Sequence, residues 1–308
     1  MSILVEARDL SKSFGKTRAV QGVSFAVAAG EAYGLVGPDG AGKTTAIRLL
    51  IGALGLDTGS VSLCGTSLAA NPDKARSSVG YLAQRFALYT DLTVQENLAF
   101  FGAVRGLARS ALQARSAELL GFVGLAGFEN RPAGQLSGGM KQKLGLACAI
   151  VHTPRVLLLD EPTAGVDPVT RQDFWQLLIR LLAGGMALVV TTTYMDEAAR
   201  CQRLGFMHSG RLLTTGSPRA LTQAFNGAVL ELTAAPLKQA RNVCMQDADV
   251  LDALTFGDRL HLRVRSATGP LQRLPGMLAA AAVSVAQLRA IPPALEDVFI
   301  ALLAEHKS

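Results

Sequence analysis

The chain has 308 residues, 49% of them apolar and 18% charged, with a net charge of +6. An apolar share of that size feeds a buried core in one large domain or two and excludes a disordered chain. Residues 85–155 carry eight Lys/Arg against four Asp/Glu, but with no basic run and no basic–aromatic interleaving, so a solvated helical surface is expected rather than a nucleic-acid partner.

The N-terminus, MSILVEARDL, carries Glu6 early and no basic region ahead of an apolar one, so no signal peptide is read there. Residues 3–36 alternate short β-rich segments, Leu4 to Ala7, Val23 to Val27 and Tyr33 to Val36. The turns Phe14-Gly15-Lys16 and Ala29-Gly30-Glu31 separate them. Next comes GPDGAGKTT, Gly37 to Thr45, directly after a strand and opening a helix, Thr44 to Leu50. Its G-x-x-x-x-G-K-[ST] pattern in that setting describes a loop whose backbone N–H groups surround phosphate oxygens. Lys43 would place its charge on the β/γ phosphates, and the Thr44 hydroxyl can ligate Mg²⁺.

Further on, Leu56 to Gly59 turns into a strand at Val61 to Cys64, and Val79 to Ala83 forms another that ends at Gln84. Residues 85–135 then read as helical. Thr93 to Glu96 is a capping box opening one helix, and Ser110 to Gln113 is read as opening a second. Between them, Arg85-Phe86-Ala87-Leu88-Tyr89 is a short connection rich in large apolar side chains, a core or an interface patch. Ser137-Gly138-Gly139 starts a glycine-rich helix that ends at His152-Thr153-Pro154. The apolar strand Val156 to Leu159, buried on both faces by its composition, delivers Asp160 and Glu161 at its C-terminal edge, where α/β sheets bind ligands.

Asp167 caps a helix with Pro168 at its first position, Gly184-Gly185 ends it, and Ala187 to Thr191 is a further buried strand. A hairpin closes around Ser209-Gly210, a short helix follows Ser217-Pro218, and Asn226-Gly227 serves as a linker. The remainder alternates strand, helix, hairpin (tip Gly257-Asp258), helix and strand before a final helix at Pro293 to Glu305, a split βαβ pattern. Its most apolar run, Met277 to Leu288, includes Ser284 and Gln287 and falls well short of the ~20 residues of a membrane span. Cys64, Cys148, Cys201 and Cys244 show no CxxC spacing and read as reduced thiols of a cytosolic protein.

The phosphate loop followed by LSGGMKQ and LLLDEP, in this order, resembles the ATP-binding-cassette (ABC) ATPases over about residues 3–222. The resemblance implies an α/β fold: a P-loop, RecA-like core with an N-terminal antiparallel β-subdomain and an inserted helical subdomain at about 85–155. A small α+β, ferredoxin-like accessory domain follows over 223–308, after a nucleotide-binding domain over 1–222. Leu295 to Phe299 resembles the C-terminal region of drug- and antibiotic-exporting members.

ATP and Mg²⁺ are the implied cofactors. Phe14 stands where the family places an aromatic on adenine. Gly37, Pro38, Asp39, Gly40, Ala41, Gly42, Lys43, Thr44 and Thr45 would hold the phosphates, with Asp39, where Asn is usual, turned to solvent or a partner. Thr44, Gln84 and Asp160 would serve the metal; Glu161 would polarise the attacking water, with Gln84 helping to place it. Ser137, Gly138 and Gly139 would reach the γ-phosphate held by a second cassette.

Family members usually carry histidine where this chain has Thr193, and none of His152, His208, His261 or His306 falls there. Thr193 is thus the third candidate catalytic position, and a slow one. The expected partners are a separate transmembrane permease, docked near Arg85 to Tyr89, and a second cassette: an identical copy or, favoured by Thr193, a histidine-bearing one. The expected place is the cytoplasmic face of the cell membrane. Competing readings are a mainly regulatory nucleotide-binding cassette and a soluble cassette ATPase acting on ribosomes or DNA. The latter usually has two cassettes in one chain or a long coiled-coil insertion, and this chain has neither.

Overall fold

The computed structural model describes residues 2–84 and 88–305. The chain divides between Gly216 and Ser217 into two compact units.

The first unit opens with a long hairpin, β1 (Ile3–Phe14) and β2 (Thr17–Ala28). Both strands are longer than their apolar segments suggest, because their outer positions are polar and register shifts interrupt the pairing. Next come β3 (Ala32–Val36), α1 (Lys43–Leu50), β4 (Thr58–Leu63), β5 (Thr66–Ser67), α2 (Pro72–Ser77) and β6 (Val79–Leu82). An antiparallel sheet forms in the order β2-β1-β4-β5.

The helical stretch holds α3 (Val94–Val104), α4 (Arg109–Val123) and α5 (Gly138–Ile150). The Thr93–Glu96 capping box is present on α3 in both directions. On α4 the expected Ser110 cap is not used: Ala108 is the cap residue and Ser110 already lies inside the first turn. The helix ladder begins with Leu112 N donating to Ala108 O at 2.9 Å, which places the start one residue before the serine.

The unit finishes with β7 (Val156–Asp160), α6 (Pro168–Ala183), β8 (Ala187–Thr192), α7 (Met195–Ala198), β9 (Arg203–His208) and β10 (Arg211–Gly216). A second sheet runs β10-β9-β3-β8-β7-β6, parallel throughout except at the β9–β10 edge. Every residue of β3, β7 and β8 is buried, as continuous apolar strands covered on both faces must be. The C-terminal edges of these strands carry the phosphate loop, the acid pair and the Thr191–Thr193 run.

In the second unit α8 (Pro218–Gln223) packs with the final helix, although the sequence places it with the nucleotide-binding domain. The unit continues with β11 (Ala228–Ala235), α9 (Leu237–Cys244), β12 (Val250–Phe256), β13 (Arg259–Val264), α10 (Thr268–Ala280), β14 (Ser284–Ile291) and α11 (Leu295–Glu305). The antiparallel order β12-β13-β11-β14 is the ferredoxin-like arrangement. Leu260, Leu262 and Val264 of β13 pack with Ala240 and Leu274 of the two helices in a separate core. Among the described residues, no helix is long and apolar enough to cross a membrane.

Candidate functional site

β3 ends at Val36, and the chain turns through Gly37–Gly42 into α1. Only glycine fits two of these positions. A Cβ on Gly42, at φ +100°, would sit 2.2 Å from Ala19 O, and one on Gly37 would sit 2.1 Å from Met207 O. The loop is therefore pressed between β2 and β9, with the N-terminus of α1 facing an open cleft of about 780 Å³. The cleft is lined by Asp39, Gly40, Ala41, Gly42, Lys43, Thr44 and Thr45, by Lys16, Thr17 and Arg18 of the hairpin, and by Gln84 and Glu161.

Lys43 is buried at 4% exposure. Its Nζ donates to Gly37 O at 2.8 Å and Pro38 O at 3.0 Å and pairs with Glu161 Oε1 at 3.0 Å. Glu161 takes a left-handed backbone, φ +47°, a costly conformation for a residue with a Cβ. Its N–H, donating to Thr191 O at 3.1 Å and Thr191 Oγ1 at 2.9 Å, holds that turn. Gln84 Nε2 donates to Glu161 Oε2 at 2.9 Å, so both carboxylate oxygens are engaged within the cleft. Behind them Asp160, 1% exposed, accepts from Thr44 Oγ1 at 2.9 Å and Thr191 Oγ1 at 2.8 Å, both on Oδ1.

These groups also fit a hard cation. Thr44 hydroxyl, Asp160 carboxylate and the Gln84 amide offer oxygens, the donor type Mg²⁺ takes. No cluster of three or more His, Cys, Asp or Glu able to hold a metal occurs among the described residues. A cation here would complete its shell with phosphate oxygens and water.

Of the other expected site residues, only Asp39 borders this cleft. Phe14 is exposed at the tip of the β1–β2 hairpin, with Lys12 Nζ 5.9 Å from its ring centre; its neighbours Lys16 to Arg18 line the cleft and it does not. Asp39 is exposed on the rim. Ser137 caps α5 by accepting from Met140 N at 3.3 Å, and Ser137 and Gly138 are exposed at a surface that contributes nothing to the cleft of the same chain. Gly139 is pinned by packing: a Cβ there would meet Thr170 Cγ2 at 2.3 Å. Thr193 is partly exposed just past β8, and its hydroxyl makes no hydrogen bond among the described residues.

Of the apolar connection, Arg85, Phe86 and Ala87 lie outside the described residues. Leu88 lines an apolar cleft of about 300 Å³ with Tyr81, Phe101, Val104 and Cys148. Tyr89 meets Phe100 edge-on at 4.6 Å between ring centres.

Sequence reasoning missed Thr191. It took Ala187 to Thr191 as a strand and singled out Thr193, and the three hydroxyls have different fates: Thr191 on Asp160, Thr192 on Glu197 and Thr193 without a hydrogen bond among the described residues. The available signal was the pairing of β7 with β8, which sets Asp160 opposite Thr191.

A phosphate-cradling loop, a buried lysine and a strand-end acid pair on a parallel sheet define a P-loop nucleotide-binding cassette. Residues 20–164 match the family model described as ABC transporter. The chain is 40% identical over 290 residues to the probable multidrug ABC transporter ATP-binding protein YbhF of Escherichia coli K12, an alignment covering 92% of this chain and 49% of that protein. It thus spans about half the length of that curated relative. It is 31% identical over 305 residues to the linearmycin resistance ATP-binding protein LnrL of Bacillus subtilis 168, covering 97% of this chain and 98% of the relative. A solved ATP-binding subunit of an ABC transporter superposes with a TM-score of 0.65 at 29% identity, covering 71% of this chain and 92% of that one. The chain belongs to the ATP-binding proteins of the ABC transporter family.

Proposed function

We propose that this chain binds and hydrolyses ATP to drive an exporter, acting on the cytoplasmic face of the membrane beside a separate membrane-spanning permease. The observation that carries this reading is the convergence of Lys43, Glu161 and Gln84 in one cleft at the mouth of the phosphate loop. The names of its relatives, multidrug and linearmycin resistance, support small hydrophobic cargo.

The geometry suggests how the site works. Lys43 is held by Glu161 and two loop carbonyls. A triphosphate in the loop offers Lys43 a denser negative charge, which draws it off Glu161. The freed carboxylate, still held by Gln84, accepts a hydrogen bond and then the proton from a water. That water attacks the γ-phosphorus as the bond to the β-phosphate oxygen breaks, releasing ADP and phosphate. Thr44 and Asp160 would hold Mg²⁺, which supplies neutralisation of charge on the β- and γ-phosphate oxygens. Phe14 would lie against the adenine.

The exposed Ser137–Gly139 turn would complete the site of a second cassette, and the mirror surface of that partner would complete this one. Thr193 makes the pair asymmetric in our reading: it is shorter than histidine and carries no charge. Its hydroxyl can still donate one hydrogen bond, and by analogy with deleting a preorganised donor the exchange costs about 10²–10³ in rate. A histidine-bearing partner would then hold the fast site.

The test is steady-state ATP turnover of the full chain. Thr193→His should raise it by about 10²-fold, and Glu161→Gln should lower it by about 10²–10⁴-fold with nucleotide still bound. Turnover unchanged by Thr193→His would leave an ordinary symmetric pair, and turnover unchanged by Glu161→Gln would remove the hydrolytic assignment.

A further inference from the structure

One buried carboxylate of the first unit touches nothing in the cleft. Glu197 of α7 is 1% exposed, and its two oxygens accept from two different segments. Oε1 takes the hydroxyl of Thr163, two residues beyond Glu161. Oε2 takes the hydroxyl of Thr192 at 2.5 Å, immediately before Thr193. Thr192 Oγ1 also accepts Tyr194 N at 3.0 Å, so Thr193 stands between two pinned neighbours.

Arg171 of α6 closes the arrangement. Its guanidinium lies 3.9 Å from the centre of the Tyr194 ring, and its Nε is 3.9 Å from Glu197 Oε1. Its Nη2 donates to Val166 O at 3.5 Å, in the turn that follows the acid strand.

Packing does not account for this residue. Burying a carboxylate carries a desolvation cost that an apolar side chain of the same size would avoid. What the carboxylate adds is direction: it ties the segment after Glu161 to the segment carrying Thr193 through two hydrogen bonds.

We propose that Glu197 is a positioning residue of the hydrolytic site, fixing Thr193 in register with Glu161 through the Thr163 and Thr192 hydroxyls. This rests on the ATPase reading above. Losing either hydroxyl lets the Thr193 segment shift while leaving the phosphate loop, and hence nucleotide binding, untouched.

The experiment compares kcat, KM for ATP and the Kd of a fluorescent ATP analogue in the full chain for Thr163→Val, Thr192→Val and Glu197→Gln, each alone and combined with Thr193→Ala. Each single variant should lower kcat about tenfold, the loss of one hydrogen bond to a charged group, with KM and Kd within about twofold of the parent. In the Thr193→Ala background the same substitutions should change kcat by less than about twofold, because the group they position is gone. A merely structural residue would give the same loss with or without the Thr193 hydroxyl. Three results overturn the proposal: parent kcat in the valine variants, an undiminished loss in the Thr193→Ala background, or parent kcat in Thr193→Ala itself. If Glu197→Gln does not fold, the two valine variants, which exchange a hydroxyl for a methyl, carry the test. A parent chain that binds no ATP defeats the ATPase reading instead, and the binding measurement separates the two failures.

Discussion

Buried carboxylates are held by different chemistry in the two units. In the first, Asp160 and Glu197 are both 1% exposed and are gripped by hydroxyls: Thr44 and Thr191 on one, Thr163 and Thr192 on the other. In the second, Asp297 takes His261 and the Ala294 N–H, while Asp247 and Glu231 are gripped by arginine. Arg273 meets Asp247 with two parallel bonds of 2.8 Å and reaches Asp249 at 2.6 Å. Glu231 is clamped from both sides by Arg259 at 3.0 Å and Arg289 at 2.7 Å. A hydroxyl directs a single bond to one carboxylate oxygen, whereas a planar arginine fork fixes both partners in one geometry. On the proposed function the exchangeable contact of the first unit is the Lys43–Glu161 pair, while the hydroxyls on Glu197 hold the Thr193 segment; the forks on Asp247 and Glu231 stay as they are.

Breaking the exchangeable side gives the largest effect. Lys43→Ala removes the buried cation of the phosphate loop and leaves the Glu161 carboxylate with Gln84. Nucleotide affinity should fall by about 10–100-fold, the range for hydrogen bonds to a charged group. A fluorescent ATP analogue bound as tightly as by the parent would show that the loop does not hold phosphate.

The locked side should answer in stability and not in binding. The Arg273 guanidinium holds the Asp247 carboxyl below the usual carboxylate range, mainly through its hydrogen bonds, against the opposing effect of burial. A carboxyl so depressed contributes stability that is in full at neutral pH. That contribution is lost as pH falls below the ordinary value of 3.8 and through the depressed one. Arg273→Ala should therefore lower the unfolding midpoint of the second unit at neutral pH and shrink its acid-dependent loss, while the nucleotide Kd stays at the parent value. A shifted Kd would mean that the two units do not divide these tasks.

Much of the first unit was legible because its chemistry is local. Gly37 to Thr45, Ser137 to Gly139 and Asp160-Glu161 are short runs whose spacing requires one backbone path. Glu197 and Thr191 were not legible, since Thr163 lies 34 residues from the one and Asp160 31 from the other, and they meet only once the chain has folded. Ser110 misled because a serine near a helix start looks like a cap from composition, and the tight turn after α3 had already set the first helical residue. In the second unit the strand and helix order gave the topology, yet the Arg273 fork was invisible, since an arginine in a helix reads as solvated until the fold brings Asp247 under it.

The smallest predicted effect lies in a residue of the first unit that has neither kind of grip. His152 sits at the end of α5 with Nε2 3.1 Å from Val79 O, and its buried Nδ1 has no partner among the described residues. Burial, and then the positive charge of Arg105, push its pKa down from 6.5 to about 4. Between those two values the unfolded chain binds a proton that the folded one refuses. Stability is therefore complete above pH 6.5, declines as pH falls toward 4, and loses nothing further from this group below that. The ring is only about half buried, so solvent screening keeps the effect well under what the full shift would give. His152→Gln keeps a donor for Val79 O and removes the titration. The parent's urea midpoint should drop between about pH 7 and pH 5 by more than the variant's does, with equal ATP-analogue affinity at neutral pH. Parallel pH profiles for the two proteins would show that His152 is solvated in the folded chain and contributes nothing to its acid sensitivity.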